Sequence, residues 1–300
     1  MRILITGGTG LIGRALCKAL QLQGHQLTVL SRNPSSVAQK CGAGNLPICA
    51  ISALSELTPE TGFDAIINLA GEPIVDAAWS ESRKKQLWDS RVTLTKKLIQ
   101  YIVAAHHKPA VLLSGSAIGY YGDRGDEALS ESASPGGDFA AQLCIAWEHQ
   151  AEQAATMGVR ICILRTGLVL AKQGGLIERM VLPFKLGLGA RLGSGNQWMS
   201  WIHIDDYVAA VVRLLLDTNA DGAYNMTAPQ PVTNRIFTAE LARAVRRPAW
   251  FVVPAFFLNA VLGSRAVLVL GGQKVLPSKL LMSDFQYRYP NLSSALQEIV

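Results

Sequence analysis

Three glycines near the start of the chain, Gly7, Gly10 and Gly13, are spaced as in loops that bind phosphate. They stand in the run Gly-Gly-Thr-Gly-Leu-Ile-Gly (7–13), directly after the apolar run 2–6. Between a strand and a helix, the first glycine permits a tight turn, the second lets backbone approach a pyrophosphate, and the third allows close helix packing. The unpaired amides at the start of the helix attract phosphate. This run predicts a dinucleotide site formed by Gly7, Thr9, Gly10, Leu11, Ile12 and Gly13.

The residues after the second apolar run indicate which dinucleotide binds. A site for NAD places Asp or Glu about 20 residues beyond the glycines, where the carboxylate accepts a hydrogen bond from the ribose 2′-hydroxyl. Ser31 and Arg32 stand there instead. Arg32 can pair with a 2′-phosphate and stack on adenine, and Ser31 can donate its hydroxyl. We therefore expect NADP rather than NAD.

The elements that must hold this site alternate between strands and helices over residues 1–165. Strands are predicted at Arg2–Thr6, Gln26–Leu30, Ala65–Asn68, Ala110–Ser114 and Arg160–Leu164. Helices are predicted at Leu11–Gln23, which Gly24 caps, and at Ser80–Ala105 and Asp138–Met157. The alternation, with strands apolar throughout, is typical of a Rossmann-type α/β fold with a doubly wound parallel sheet.

Beyond residue 165 the pattern changes to short elements separated by Gly and Pro. We expect a dinucleotide-binding domain at 1–165 and a smaller C-terminal substrate lobe at 166–300, with 203–220 packing back on the first domain. Asp205 and Asp206 are expected to cap a helix that ends at Leu216.

The stretch Trp250–Leu262 is the most apolar of the chain, but Pro254 interrupts it. It is shorter than the roughly 20 residues that a membrane-spanning helix needs. A buried or subunit-facing helix is therefore favoured, and a homodimer is expected to be possible.

Composition narrows the class of protein. The net charge of +6 is spread without a basic block, which argues against a nucleic-acid partner. The five cysteines are scattered and never form a Cys-x-x-Cys pair, so reduced thiols in the cytoplasm are expected rather than disulfides or a metal site. The start of the chain reads as a strand rather than as a signal peptide, and no membrane partner is expected.

Later segments resemble the extended short-chain dehydrogenase/reductase family, in its atypical, epimerase-like branch. They are Asn-Leu-Ala-Gly (68–71), Ser-Gly-Ser-Ala-Ile-Gly-Tyr-Tyr-Gly (114–122), Trp-Ile-His-Ile-Asp-Asp (201–206) and the C-terminal stretch 276–296. The resemblance implies a small extra domain at 249–298. It also implies further cofactor contacts from Leu69, Ala70, Gly71, Gln86 and Val169.

The chain departs from the family's catalytic pattern. Members that perform redox or epimerase chemistry use Tyr-x-x-x-Lys, because a tyrosine that titrates near 10 needs a nearby cation to exchange protons at neutral pH. The corresponding helix, 138–148, contains neither Tyr nor Lys. Alignment on Glu148 places Ala140 and Cys144 at the pair, whereas alignment on Phe139 places Phe139 and Leu143 there.

Three hydroxyls remain as candidate catalytic groups: Ser116, Tyr120 and Tyr121. Ser116 matches the family's carbonyl-polarising serine, or it is an ordinary turn serine. The tyrosines are either proton donors or packing residues, and Glu72 is either a cleft carboxylate or a surface one. His203 is expected to be structural, and Trp198 and Trp201 either shape a pocket or pack in the core.

Two functions follow from these residues. One is an NADP-dependent, epimerase-like oxidoreductase that acts on a small carbonyl or nucleotide-sugar-like compound. The other is a non-catalytic NADPH-binding sensor or interaction protein that has lost the Tyr-Lys pair.

Overall fold

A computed structural model describes residues 1–42 and 47–300 of the chain. Numbered along the chain, its strands are β1 (Arg2–Thr6), β2 (Gln26–Leu30), β3 (Ile48–Ile51), β4 (Ala65–Asn68), β5 (Val111–Ala117), β6 (Ala128–Leu129), β7 (Arg160–Thr166), β8 (Leu168–Leu170), β9 (Ala190–Leu192), β10 (Trp198–Met199), β11 (Trp201–His203), β12 (Gly222–Met226), β13 (Val232–Thr233), β14 (Phe251–Val253) and β15 (Lys274–Val275). The helices are α1 (Leu11–Leu22), α2 (Val37–Cys41), α3 (Glu81–Trp88), α4 (Leu94–Ala104), α5 (Phe139–Glu152), α6 (Gly175–Lys185), α7 (Ile204–Leu216), α8 (Asn234–Ala244), α9 (Ala255–Leu262), α10 (Val267–Leu270), α11 (Ser278–Met282) and α12 (Leu292–Ile299).

Within this described part of the chain, seven strands form one parallel sheet in the order β12-β7-β5-β4-β1-β2-β3. The strand order reverses beside β1, which pairs with β2 on one side and with β4 on the other. Ligands of open parallel sheets bind at such a switch point, beyond the carboxyl ends of the strands. The predicted Rossmann-type fold with a doubly wound parallel sheet is confirmed.

Apolar residues on both faces of the central strands hold the helices against the sheet. On β1, Ile5 faces the core that includes Leu16 of α1 and Val211 of α7, whereas Leu4 faces the core that includes Ile102 of α4. All five side chains are fully buried. Each such burial stabilises the fold by roughly 1.5–3 kcal/mol. The apolar cores on the two faces of the sheet hold the strand ends in place. They thereby also position the loops that follow the strands and would form a site.

The observed elements differ from the sequence-based predictions in several places, of which the following bear on the central sheet and its helices. The strands β3 and β12 were not predicted, and β5 continues three residues beyond the predicted end at Ser114. The predicted helix Ser80–Ala105 is divided by a π-helical segment, Asp89–Thr93, between α3 and α4. A π turn inserts one extra residue in a helix, which no periodicity of apolar residues indicates.

The prediction that Asp205 and Asp206 cap α7 is wrong. The cap is His203, whose Nδ1 accepts a hydrogen bond from the Asp205 amide at 3.1 Å. The buried Asp206 carboxylate instead accepts from the amides of Arg288 and Tyr289 at 2.7 and 3.0 Å. A carboxylate in the first turn therefore ties the C-terminal segment to α7. His203 is buried against the Tyr289 ring, so its structural role is confirmed.

The stretch Trp250–Leu262 forms β14 and α9 rather than one helix. In the described structure no residue of α9 is buried, and Trp250 and Phe256 are 84% and 75% exposed. The expectation of a buried helix is therefore wrong. No helix in the described ranges is long and apolar enough to cross a bilayer. Trp201, in contrast, is fully buried and belongs to the core of the C-terminal part.

Candidate functional site

The glycine-rich turn between β1 and α1 leaves no room for side chains. A Cβ on Gly7 would lie 2.6 Å from the Leu69 carbonyl, and its φ of +71° is one that L-residues rarely adopt. A Cβ on Gly13 would lie 2.2 Å from the Gly7 oxygen. Within the described residues, no side chain caps the start of α1, and its first turn carries no acidic residue. The first amides of α1 are therefore available to an anion.

Buried polar side chains hold the loop that faces this turn. The Thr6 hydroxyl donates to Asn68 Oδ1 at 2.6 Å and accepts from the Ala70 amide at 3.1 Å. The Asn68 amide donates to Thr95 Oγ1 of α4 at 2.8 Å. These bonds join the ends of β1 and β4 to α4. The backbone of residues 69–71 is thereby fixed opposite the glycine turn.

A cleft of about 1160 Å³ lies between these two segments. Its volume exceeds the roughly 300–1,000 Å³ of ordinary small-molecule pockets, as an extended dinucleotide requires. The sequence-predicted residues that line it are Gly7, Thr9, Gly10, Ser31, Arg32, Leu69, Ala70 and Gly71.

Other predicted residues lie away from the lining of this cleft. Gln86 is exposed on α3, where its side chain accepts a hydrogen bond from Arg83. Val169 is partly buried in β8 and packs against the main core. Leu11, Ile12 and Gly13 belong to the first turn of α1, behind the glycines that line the cleft.

The end of the cleft beyond β2 is rich in donors. Arg32 is joined there by Ser36 and by Lys40 of α2, which the sequence analysis missed. A basic residue on the helix that follows the second strand was the available signal. Arg32 Nη1 lies 2.5 Å from Glu72 Oε1, so this pair bridges the ends of β2 and β4. Glu72 is therefore a cleft carboxylate.

The positions of the missing catalytic pair lie on α5. Ala140 and Cys144 are buried there. Burial raises the pKa of the Cys144 thiol to about 11, so that it is neutral near pH 7. Neither residue supplies a cation or a phenol. In the other alignment, Phe139 and Leu143 stand at these positions, and both are apolar.

Ser116 is engaged in a buried network. Its hydroxyl donates to Glu148 Oε1 of α5 at 2.6 Å. The same carboxylate accepts from Arg165 Nε at 3.0 Å and from Arg165 Nη2 at 2.8 Å. Burial by itself would lower the pKa of Arg165, but the hydrogen bonds and negative charge of Glu148 raise it. The Arg165 guanidinium is therefore held as a cation beside this carboxylate, and the Ser116 hydroxyl is already engaged as a donor to it.

The two candidate tyrosines differ in their surroundings. Tyr121 is fully buried; its hydroxyl donates to Asn225 Oδ1 at 2.6 Å and accepts from Arg165 Nη1 at 3.0 Å. Burial raises the pKa of Tyr121, which keeps the phenol neutral. Tyr120 is partly exposed, and the Arg165 guanidinium lies 3.5 Å from its ring centre. Neither tyrosine lines the described cleft.

Glu148, Arg165 and Asn225 were not predicted as members of this network. No sequence signal joins them, because they come from α5, β7 and β12. The network links the carboxyl-terminal ends of β5, β7 and β12 to α5.

Comparison with protein families identifies two regions. Residues 3–227 match the NAD dependent epimerase/dehydratase family. Residues 253–299 match a domain of unknown function, DUF1731.

Similar proteins extend over the whole chain. The chloroplastic epimerase family protein SDR39U1 homolog of Arabidopsis thaliana is 38% identical, over 100% of this chain and 87% of that protein. Epimerase family protein YfhF of Bacillus subtilis is 35% identical, over 100% and 98%. The crystal structure of human epimerase family protein SDR39U1 with NADPH has a TM-score of 0.89 and 34% identity, over 100% and 99%. UDP-N-acetylglucosamine 4-epimerase from Bacillus cereus, at 19% identity and a TM-score of 0.77, shares the fold.

Proposed function

Because the chain belongs to the NAD dependent epimerase/dehydratase family, with a C-terminal DUF1731 domain, we propose that it is an NADP(H)-binding, epimerase-like oxidoreductase. Its substrate would be a small carbonyl or nucleotide-sugar-like compound. The family resemblance seen in the sequence is confirmed by these matches. The prediction of NADP as the cofactor is confirmed by the relative that was crystallised with NADPH.

One observation carries the proposal: the uncapped start of α1 faces a long cleft in which a side chain on Gly7 would collide with Leu69. Backbone amides and the helix dipole favour a pyrophosphate at that point. Arg32 and Lys40 lie at one end of the cleft, where they fit a 2′-phosphate. The residues present therefore fit NADP(H).

The chain's own residues bind and orient rather than transfer protons. NADPH, when bound, would supply the hydride for reduction of a carbonyl. The glycine turn would hold its phosphates, and residues 69–71 line the cleft opposite this turn. The Ser116 hydroxyl donates to Glu148, so polarising a substrate oxygen would require that bond to be exchanged.

A second function, the non-catalytic NADPH sensor, is favoured by a specific observation. The places of the catalytic Tyr and Lys are taken by Ala140 and Cys144, or by Phe139 and Leu143, depending on the alignment, and neither choice supplies a phenol or a cation. Tyr121 is held by Asn225 and Arg165. Binding without turnover is the behaviour that these contacts favour.

Calorimetry with NADPH and NADH, followed by a panel of carbonyl compounds, tests both functions. We expect NADPH to bind more tightly than NADH, and Gly7→Ala to abolish binding. Gly24→Ala is the matched control, because Gly24 also has a positive φ but has open space around it. NADPH oxidation by any compound supports the enzyme, and tight binding with no turnover supports the sensor. Absence of heat with either coenzyme would contradict both.

We also propose that the exposed face of β14 and α9 joins two copies of the chain. Trp250, Phe251, Phe256 and Phe257 are each more than half exposed. Aromatic side chains present on the order of 150–250 Å² each. With their aliphatic neighbours they approach the roughly 800 Å² per partner that a stable dimer buries. An apolar patch of this kind is rare on a monomer.

Sedimentation velocity tests the dimer. Phe256→Ser should shift the protein from dimer to monomer, because it places a hydroxyl in the centre of the face. Leu22→Ser is the control, since Leu22 is 69% exposed at the end of α1. A monomeric wild-type protein would exclude this interface.

A cytoplasmic location of the protein stays a prediction.

A further inference from the structure

Arg91 is a half-buried cation whose partners are all neutral. Its Nη2 donates to the Glu72 carbonyl at 2.8 Å, and its Nη1 donates to the Leu87 carbonyl at 3.3 Å and to Ser90 Oγ at 3.2 Å. In the part of the chain that the structure describes, no carboxylate oxygen lies within 4.0 Å of this guanidinium. The Glu72 carboxylate is engaged by Arg32 and Arg83. A desolvated charge without a counter-charge is costly unless a ligand stabilises it.

The π-helical segment Asp89–Thr93 places this guanidinium behind the wall of the cleft, which Asp89 and Ser90 of the same segment help to form. A Cβ added to Gly71 would lie 3.0 Å from Arg91 Cζ, and Gly71 lines the cleft. Only a glycine leaves the guanidinium this close to the cleft surface. π turns are frequent at functional sites because the extra residue redirects side chains.

Arg91 and Arg32 lie beyond the ends of different strands, although both contact Glu72, one at its carbonyl and the other at its carboxylate. Arg32 follows β2, whereas Arg91 lies beyond the end of β4 and against α5, with its Cζ 5.4 Å from the centre of the Trp147 ring. The glycine turn after β1 lies between them. A dinucleotide crosses such a switch point with one nucleotide on each side. Arg32 and Lys40 fit the 2′-phosphate, whereas Arg91 packs against α5, the helix on which the family's catalytic pair stands, so the side beside Arg91 would hold the nicotinamide nucleotide.

The guanidinium also lies near the position of the missing lysine. Cys144, which stands at that position when the helix is aligned on Glu148, lies one turn before Trp147, the residue whose ring Arg91 contacts. The guanidinium on the π turn that precedes α4 is therefore near the part of α5 from which the lysine is absent.

We propose that Arg91 supplies the positive charge on the nicotinamide side of the cofactor, in place of the lysine absent from α5. The proposal rests on the proposed function. Arg91 is a binding and positioning residue, because a guanidinium keeps its protons at physiological pH and cannot act as the acid that the missing tyrosine would be. Its expected ligands are oxygens of the nicotinamide nucleotide.

Calorimetry with two ligands tests this placement. NADPH contains both nucleotides, whereas 2′,5′-ADP contains the phosphorylated adenosine alone. Arg91→Met should weaken NADPH binding roughly 10- to 100-fold, the loss expected for hydrogen bonds from a charged group. Binding of 2′,5′-ADP should change about twofold or less. Arg91→Lys should restore part of the NADPH affinity.

Arg83→Met is the matched control, because Arg83 Nη2 donates to the Pro73 carbonyl of the same loop at 2.6 Å. The Arg83→Met substitution should change the affinities for NADPH and for 2′,5′-ADP by the same factor. Unchanged NADPH affinity in Arg91→Met, or an equal loss for both ligands, would overturn the proposal and assign Arg91 to holding the loop. If wild-type protein binds neither ligand, the proposed function itself fails. Arg91→Gln replaces the Met variant if that variant does not fold.

Discussion

Two arginines contact consecutive residues of α5, and only one of them is neutralised. Arg165 makes two hydrogen bonds with the Glu148 carboxylate, and both side chains are 6% exposed. Arg91 lies over the Trp147 ring and donates only to neutral oxygens. The first arrangement is closed, so it stabilises the fold and offers nothing to a ligand. In the second, no carboxylate of the described residues lies within 4.0 Å of the guanidinium, so an anionic ligand would gain by pairing with it.

The largest expected effect is the loss of stability when the Arg165–Glu148 pair is broken. Arg165→Met leaves a buried Glu148 without its partner and should lower the free energy of unfolding by about 3–5 kcal/mol, whereas Arg91→Met should change it by about 1 kcal/mol or less. Urea denaturation measures both. The double variant Arg165→Met/Glu148→Met should recover much of the loss. Equal destabilisation by the two single variants would abolish the distinction between the sites.

Arg32 is an intermediate case between Arg165 and Arg91, because it has a carboxylate partner, Glu72, but its own side chain is exposed to solvent. Its side chain is 92% exposed in the pair with Glu72, so a phosphate can displace the carboxylate. The double variant Arg32→Ala/Lys40→Ala should weaken NADPH binding roughly 10- to 100-fold while leaving NADH binding unchanged. Titration of both coenzymes by calorimetry checks this. Equal losses of affinity for NADPH and NADH would contradict the assignment of Arg32 and Lys40 to the 2′-phosphate.

The neighbouring tyrosines test how far the closed network extends. Tyr121→Phe leaves Asn225 Oδ1 and one Arg165 donor without a partner and should cost about 1–3 kcal/mol of unfolding free energy. Tyr120→Phe keeps the ring on which Arg165 stacks and should cost little. Thermal and urea unfolding compare the pair. A larger loss for Tyr120→Phe would show that its hydroxyl has an essential partner.

The smallest expected effect concerns Glu72. Glu72→Gln frees Arg32 from an exposed ion pair and should raise NADPH affinity about two- to fivefold, with less effect at high salt. Affinity measured at two salt concentrations checks both statements. A loss of affinity would mean that Glu72 orients Arg32 for the phosphate rather than competing with it.

The local sequence predicted the bounds of the elements around the glycine-rich turn closely. The glycine run, the helix that follows it and the strands at Arg2–Thr6, Gln26–Leu30 and Ala65–Asn68 were placed correctly, because each depends on neighbouring residues. Short or composite elements were missed. β12 reaches the sheet from far along the chain, and the π segment at Asp89–Thr93 breaks helical periodicity without Pro or Gly.

The sequence by itself determined that a phosphorylated dinucleotide fits at the first turn and that the Tyr-x-x-x-Lys pair is absent. Only the tertiary structure decided that Ser116 donates to Glu148, that Arg165 pairs with this carboxylate, and that none of the carboxylates in the described ranges pairs with Arg91. The physical reason is that glycine geometry and residue identity are local properties. The state of a buried charge depends on which distant segments surround it.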